Sequence, residues 1–342
     1  MWVYPAKKKC VGAEMRGNTM KELVINRNDA GQRLDKYLTK ALPALPPSLL
    51  QKYIRLKRVK LGGKRVEKDY RLQEGDVLQL YISDEFFSTP DPEEAWRTVT
   101  PRLDVVYEDE HILLVNKPVG LVVHEDESST PNTLINQIKA YLYNKGDWDP
   151  GQEASFTPAL CNRIDRNTGG IVIAAKTAAA LRILNEKIRD REISKYYLCL
   201  VHGVPRPASG TLTSYLRRDL EKKQVFALKH KTADSLTAKL RYTVLESRCG
   251  ISLVECRLLT GRTHQIRVQM SEGGHPLVGD TKYGTAAQNR GLPYKHQALW
   301  SYRLRFDFPT GAGELEYLRG REFQVQAVPF LEYFYGLPKK QN

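Results

Sequence analysis

The chain of 342 residues is poor in cysteine, and its five (Cys10, Cys161, Cys199, Cys249 and Cys256) are odd in number and never spaced C-x-x-C. That spacing excludes a disulfide framework and a zinc knuckle, and fits free thiols in a reducing compartment. The seven histidines form no H-x-x-x-H pair, so no metal is expected. Long apolar runs are missing too. The longest, Gly170 to Ala175, is far short of the ~20 residues of a membrane span. No basic flank leads into an apolar stretch at the start, so a cytoplasmic protein is expected rather than an exported or membrane one. A nucleotide-binding loop is lacking as well. Gly311-Ala312-Gly313 has no strand–turn–helix context, which argues against a cofactor-dependent enzyme such as an RNA methyltransferase.

What the chain has is positive charge, unevenly placed. Of its 53 basic and 39 acidic residues, 18 basic and 8 acidic fall in residues 1–82. Residues 83–101 reverse the balance, with five acidic residues, one arginine and three prolines. Apolar residues make up 41% of the chain, enough for sizeable cores. The expected organisation is a disordered tail over 1–19, a small basic domain over 20–82, an acidic linker over 83–101 and a large domain over 102–342.

In the small domain, Leu34, Tyr37, Leu38 and Leu42 recur at helical spacing, and Leu49, Leu50, Tyr53 and Ile54 form a second stripe. A strand from Val59 to Leu61, a Gly62-Gly63 turn and a return strand through Val66 follow, then a last strand from Val77 to Ile82. Nine basic residues fall between 51 and 71, opposed only by Glu67 and Asp69. Most charge runs are merely solvated surface. A dense, one-signed patch on a helix–helix–hairpin unit is instead the footprint of phosphate-backbone binding. The stretch Arg55-x-x-Arg58-Val59-x-Leu61-x-Gly63 resembles the S4-type RNA-binding domain, whose length residues 32–82 match. The resemblance implies structured RNA as partner, with Lys52, Arg55, Arg58 and Lys60 as contacts.

In the large domain, strands are expected at Val105–Tyr107 and Ile112–Val115, with another ending near His124 and a helix over about Pro131–Tyr143. The buried strand Ile171–Ala175 precedes a helix carrying Leu181, Leu184 and Ile188. The fold class is α+β, with a mixed, mostly antiparallel sheet.

Asp165 stands out on chemistry. It lies on a turn ending in two glycines, between Arg163 and Arg166. A neighbouring arginine favours an ionised carboxylate, which is a nucleophile or base suited to a sugar's anomeric carbon. A structural aspartate capping a turn fits the same residues. The run Leu259–Val268 offers donors for phosphate and sugar, and its arginines need carboxylate partners if buried. A polar surface loop is the bland alternative. Tyr196 and Tyr197, opening a strand, either pack or stack on an extruded base.

Taken in order, these runs resemble the RluA-type pseudouridine synthases. Asn162-Arg163-Ile164-Asp165-Arg166-Asn167-Thr168-Gly169-Gly170 is similar to their H-R-L-D-x-x-T-S-G signature. Gly261-Arg262-Thr263-His264-Gln265-Ile266-Arg267 matches G-R-T-H-Q-I-R, and Gly274 to Asp280, then Tyr283-Gly284, continue the match. The resemblance spans about residues 102–330. It implies an enzyme that isomerises uridine to pseudouridine within RNA without cofactor or metal, in large-subunit ribosomal RNA or alternatively in transfer RNA. It further implies Asp165 as the essential carboxylate, Tyr197 stacked on the flipped uracil, Arg267 paired with Asp165 and Arg163 filling the gap in the RNA. Arg166, Thr168, Arg262, His264 and Gln265 are the other expected substrate contacts. Two residues depart from the pattern: Asn162 replaces a usual His and Gly169 a usual Ser. A monomer suffices for this chemistry. The competing reading is an inactive RNA-binding assembly protein with the same fold.

Overall fold

The structure, a computed structural model, describes residues 20–87, 95–124, 130–219 and 221–339. The expected tail over 1–19 lies outside the described residues, as does the middle of the acidic stretch, 88–94. The chain divides into two units. One takes residues up to 98 together with 142–158 and 177–179; the other holds the remainder.

In the first unit, β1 (Lys21–Val24), α1 (Leu34–Ala41), α2 (Pro47–Arg55), β2 (Val59–Leu61), β3 (Lys64–Arg65) and β4 (Val77–Leu80) form a helix pair and an antiparallel sheet of order β1-β4-β2-β3. Pro47 opens α2, where no N–H is needed. Leu34, Tyr37, Leu38, Leu50 and Ile54 join the sheet residues Val59, Leu78 and Leu80 in one core. Gly62 and Gly63 both have positive φ (53° and 79°), which the two-residue hairpin demands. The return strand is shorter than expected because Val66 leaves the ladder and turns into the core. The described flanks of the acidic stretch pack within the first unit. Phe86 and Phe87 pack on the core, and Trp96 meets Tyr143 and Trp148 edge-on at 5.0 and 5.3 Å.

The second unit runs β5 (Val105–Glu108), β6 (Ile112–Lys117), α3 (Leu134–Lys145), β7 (Ala159–Leu160), β8 (Gly169–Ala175), α4 (Ala178–Arg189), β9 (Ile193–His202), β10 (Ser209–Asp219), β11 (Gln224–Leu228), β12 (Leu236–Arg248), β13 (Ile251–Leu258), α5 (Gln265–Glu272), β14 (Leu299–Phe306), β15 (Glu322–Gln324) and α6 (Phe330–Gly336). The strands make an eleven-stranded sheet of order β11-β10-β12-β13-β9-β14-β8-β6-β5, with β15 beside β14 and β7 beside β8. Every pairing is antiparallel except β8 with β14. The α+β fold with a mixed, mostly antiparallel sheet is therefore as the sequence implies. Strand β9 is covered on both faces: Leu198 and Leu200 enter one core with residues of α4 and α6, while Tyr197, Cys199 and Val201 enter another with Ile266 and Met270 of α5. The strand expected to end near His124 does not form. The carbonyls of Val122 and Val123 instead accept from the N–H groups of Leu134 and Ile135, satisfying the first turn of α3.

The lone parallel contact is a close one. Gly169 faces Trp300 and Gly170 faces Ser301, and a Cβ on either glycine would lie 2.2 Å from the Trp300 ring or the Ser301 carbonyl oxygen. Gly170 also has φ 113°. Trp300, donating from Nε1 to Asn116, thus occupies the space of any side chain at position 169, where the resembled signature has Ser. Gly169→Ser is expected to cost about 2–3 kcal/mol by overpacking. In urea unfolding, adding Trp300→Leu to that variant should restore part of the loss, whereas additive costs would refute the steric account.

Candidate active site

Asp165 lies on a turn closed by the Thr168 N–H donating to its carbonyl at 3.0 Å. The segment before the turn is laced to β8: Cys161 N donates to Ile173 O, and Ile173 N donates to the Asn162 side-chain oxygen at 2.8 Å. Asn162, where the resembled signature has His, thereby supplies an acceptor that continues the strand pairing. The segment after it is laced to the loop following β6. Gly120 N and the Lys117 ammonium both donate to the Arg166 carbonyl at 2.9 Å, and Arg166 Nε donates back to Gly120 O. Lys117 is fully buried and also donates to the carbonyls of Pro118 and Leu121. Burial pushes its pKa down to about 8, with the charge of Asp165 opposing.

Neither flanking arginine is the ion-pair partner of Asp165. That partner comes from α5: Arg267 Nη1 donates to Asp165 Oδ2 at 3.1 Å. The rest of the same guanidinium grips Asp280, Nε to Oδ2 at 2.7 Å and Nη2 to Oδ1 at 3.0 Å. Asp280 is wholly buried and also accepts from the N–H groups of Lys282 and Tyr283. Burial raises its pKa, but the Arg267 bonds and charge outweigh this and hold it below the ordinary value.

His264, at φ 53° just before α5, has Nδ1 2.7 Å from the Tyr283 hydroxyl and Nε2 3.7 Å from Asp165 Oδ2. The Tyr283 oxygen accepts from Val225 N, so its proton is available to His264 Nδ1. That assignment leaves the ring proton on Nε2, toward Asp165. Burial lowers the imidazole pKa and Asp165 opposes the shift, which favours the neutral ring. Tyr197 is 5% exposed, and burial pushes its phenol up to about 12 against a hydrogen bond with Ser301.

One pocket of about 1160 Å³ gathers the site residues expected in the large domain. Asp165, Tyr197, Arg267, Arg163, Arg166, Thr168, Arg262, His264 and Gln265 all line it. Arg163 and Arg166 are exposed, while Thr168 is buried and accepts from Gln297. Gln265 is 3% exposed with its amide spent inside the protein, on Thr260, Arg262, Lys239 and Gln269. Its evident work is to shape the loop that delivers Arg267. In the first unit, Lys52, Arg55 and Arg58 are exposed and Lys60 half-buried, with Arg58 over the Tyr53 ring and Lys60 over that of Tyr81.

Residues 111–272 match the RNA pseudouridylate synthase family and residues 32–78 the S4 domain. A Bacillus subtilis protein named as an uncharacterised RNA pseudouridine synthase is 31% identical, over 86% of this chain and 92% of its own. The Vibrio vulnificus ribosomal large subunit pseudouridine synthase C is 33% identical, over 85% of this chain and 90% of its own. The chain belongs to the RNA pseudouridine synthase family, and its members are isomerases. Among solved structures, human RNA pseudouridylate synthase domain containing 4 shares the fold at a TM-score of 0.52 and 22% identity, covering 67% of this chain and 90% of that one.

Within this family fold, three residues of the site had escaped the sequence reading. Lys117 ends an apolar strand before a proline, and its burial shows only in the fold. Asp280 lay in the matched run but carried no assigned role. Tyr283 reaches His264 only through the fold. Asp280→Asn is expected to cost about 3 kcal/mol at pH 7, because Arg267 loses a buried counter-charge. The depressed pKa stabilises the fold above the ordinary carboxylate value, and that share is lost as pH falls through the folded one. Urea unfolding should therefore show the gap between the two proteins narrowing from pH 7 to pH 3; a constant gap would refute the charge-based account.

Proposed function

We propose that this enzyme isomerises uridines to pseudouridine in large-subunit ribosomal RNA, with the target base extruded into the pocket and Asp165 as the essential carboxylate. The observation that carries this reading is the isolation of that carboxylate. Among the described residues lining the pocket it is the only one, facing ten lysines and arginines, and it is held by Arg267. The names of relatives such as the Vibrio vulnificus enzyme support ribosomal RNA as substrate.

In the reaction, the bond from uracil N1 to ribose C1′ breaks, the uracil turns, and C5 joins C1′. N1 ends protonated, and the C5 hydrogen leaves to water. An ionised carboxylate open to the pocket serves this sequence at C1′, at the base, or by taking a ribose proton. Tyr197 offers its ring to the detached uracil, and Arg163 is exposed at the rim to replace it in the RNA stack. The basic surface of α2 and β2 fits a phosphate backbone without reading sequence. We read the enzyme as a cytoplasmic monomer, since one chain supplies all of these groups.

The test is release of tritium from large-subunit ribosomal RNA labelled at uridine C5. The wild type should release it, and Asp165→Asn should bind the RNA yet release none. Release from transfer RNA alone would overturn the substrate. Binding without release from either RNA would favour an assembly protein.

A further inference from the structure

Besides the residues around Asp165, the pocket is lined by Leu160, Cys161, Ile188, Arg189, Arg191 and Lys195. Lys195 lies two residues before Tyr197 on β9, so the alternation of the strand turns both side chains to the same face. Its neighbours across the ladder are apolar, Leu258 on β13 and Leu304 on β14. Arg189 comes from α4, where it pairs with Asp190, and Arg191 from the turn after it, so no carboxylate joins Lys195 in this part of the lining. The titratable group acting directly on Lys195 is the Cys161 thiol, itself pushed up to about 12 by burial. Among the described residues, Lys195 has no hydrogen-bond or ion-pair partner. Lys187, by contrast, is paired with Glu192, and Lys117 is ringed by three carbonyls.

Lys195 is half-buried, and an ammonium partly withdrawn from water without a counter-charge is unfavourable; burial lowers its pKa to about 8. Such a group is completed by an anion arriving from outside. Resting on the reading that RNA enters this pocket, we propose that Lys195 seats a backbone phosphate of the RNA, fixing the strand while the target nucleotide turns toward Asp165. The ligand class is a phosphodiester. Lys195 positions the substrate and takes no part in bond making.

The test uses the full chain, a large-subunit ribosomal RNA transcript tritiated at uridine C5, and the variants Lys195→Met and Lys195→Arg. Lys195→Met should bind the transcript about tenfold more weakly, and its plot of log affinity against log salt should be shallower by about one contact. Lys195→Arg should recover most of both, with thermal melting confirming that each variant folds. Wild-type affinity should fall from pH 7 to pH 9 more steeply than that of Lys195→Arg, whose cation persists. An unchanged affinity and salt slope in Lys195→Met would sink the proposal. So would a Lys195→Arg variant as weak as Lys195→Met, or a loss confined to the rate of tritium release. The two readings fail separately. If the salt slope responds but the wild type releases no tritium, the phosphate seat stands and the isomerase reading falls.

Discussion

Arg267 is gripped from two sides, and the site's geometry follows from that. Two of its nitrogens are bound in parallel to a carboxylate that water does not reach, and a third is turned to Asp165. The guanidinium, held as a plane by Asp280, fixes one oxygen of Asp165 without relying on the short, exposed turn that carries it. The helix bearing Arg267 starts at His264, whose left-handed backbone starts α5 without a side-chain cap and lets Gln265 tie the entry loop to Lys239. Lys117 does matching work, bringing three carbonyls to one ammonium and so tying the Asp165 turn to the loop after β6.

The turn also depends on how closely two strands approach. β8 and β14 meet in parallel over two residues, where glycines admit the Trp300 ring and the Ser301 backbone. A register shift in β14 between Ser301 and Arg303 falls opposite Tyr196 and Tyr197. Such irregularity re-aims side chains near a site. Ser301, beside Gly170 in one direction and Tyr197 in the other, thus links the aspartate turn to the tyrosine strand.

Much of this was legible in the sequence because it is local. The apolar stripes of α1 and α2, the Gly62-Gly63 hairpin and the run Ile171–Ala175 announce themselves by period and turn chemistry. The ordered motifs put Asp165, Tyr197 and Arg267 on the page together. What stayed hidden is set by tertiary contact. The grip of Asp280 on two nitrogens of the Arg267 guanidinium joins residues 13 apart that no motif connects. Val122 and Val123 look like strand residues but cap a helix. The grouping of residues 142–158 with the amino-terminal unit turns on Trp148 meeting Trp96, and on Glu153 and Ser155 bonding Asn28 and Gln32. No periodicity foretells such pairings.

The electrostatics of the pocket carry a last consequence. A basic pocket attracts RNA by its field, but arriving phosphates compete for the cations that surround its one carboxylate. An arginine free to swing would leave Asp165 for a phosphate at the moment of binding. Arg267 has no such freedom, because Nε and Nη2 are both committed to Asp280. The Arg267–Asp165 contact is therefore made by a guanidinium already fixed in place, whereas Lys195 has no such commitment among the described residues. The division between locked and free cations lets one pocket keep its carboxylate oriented within a strongly basic lining.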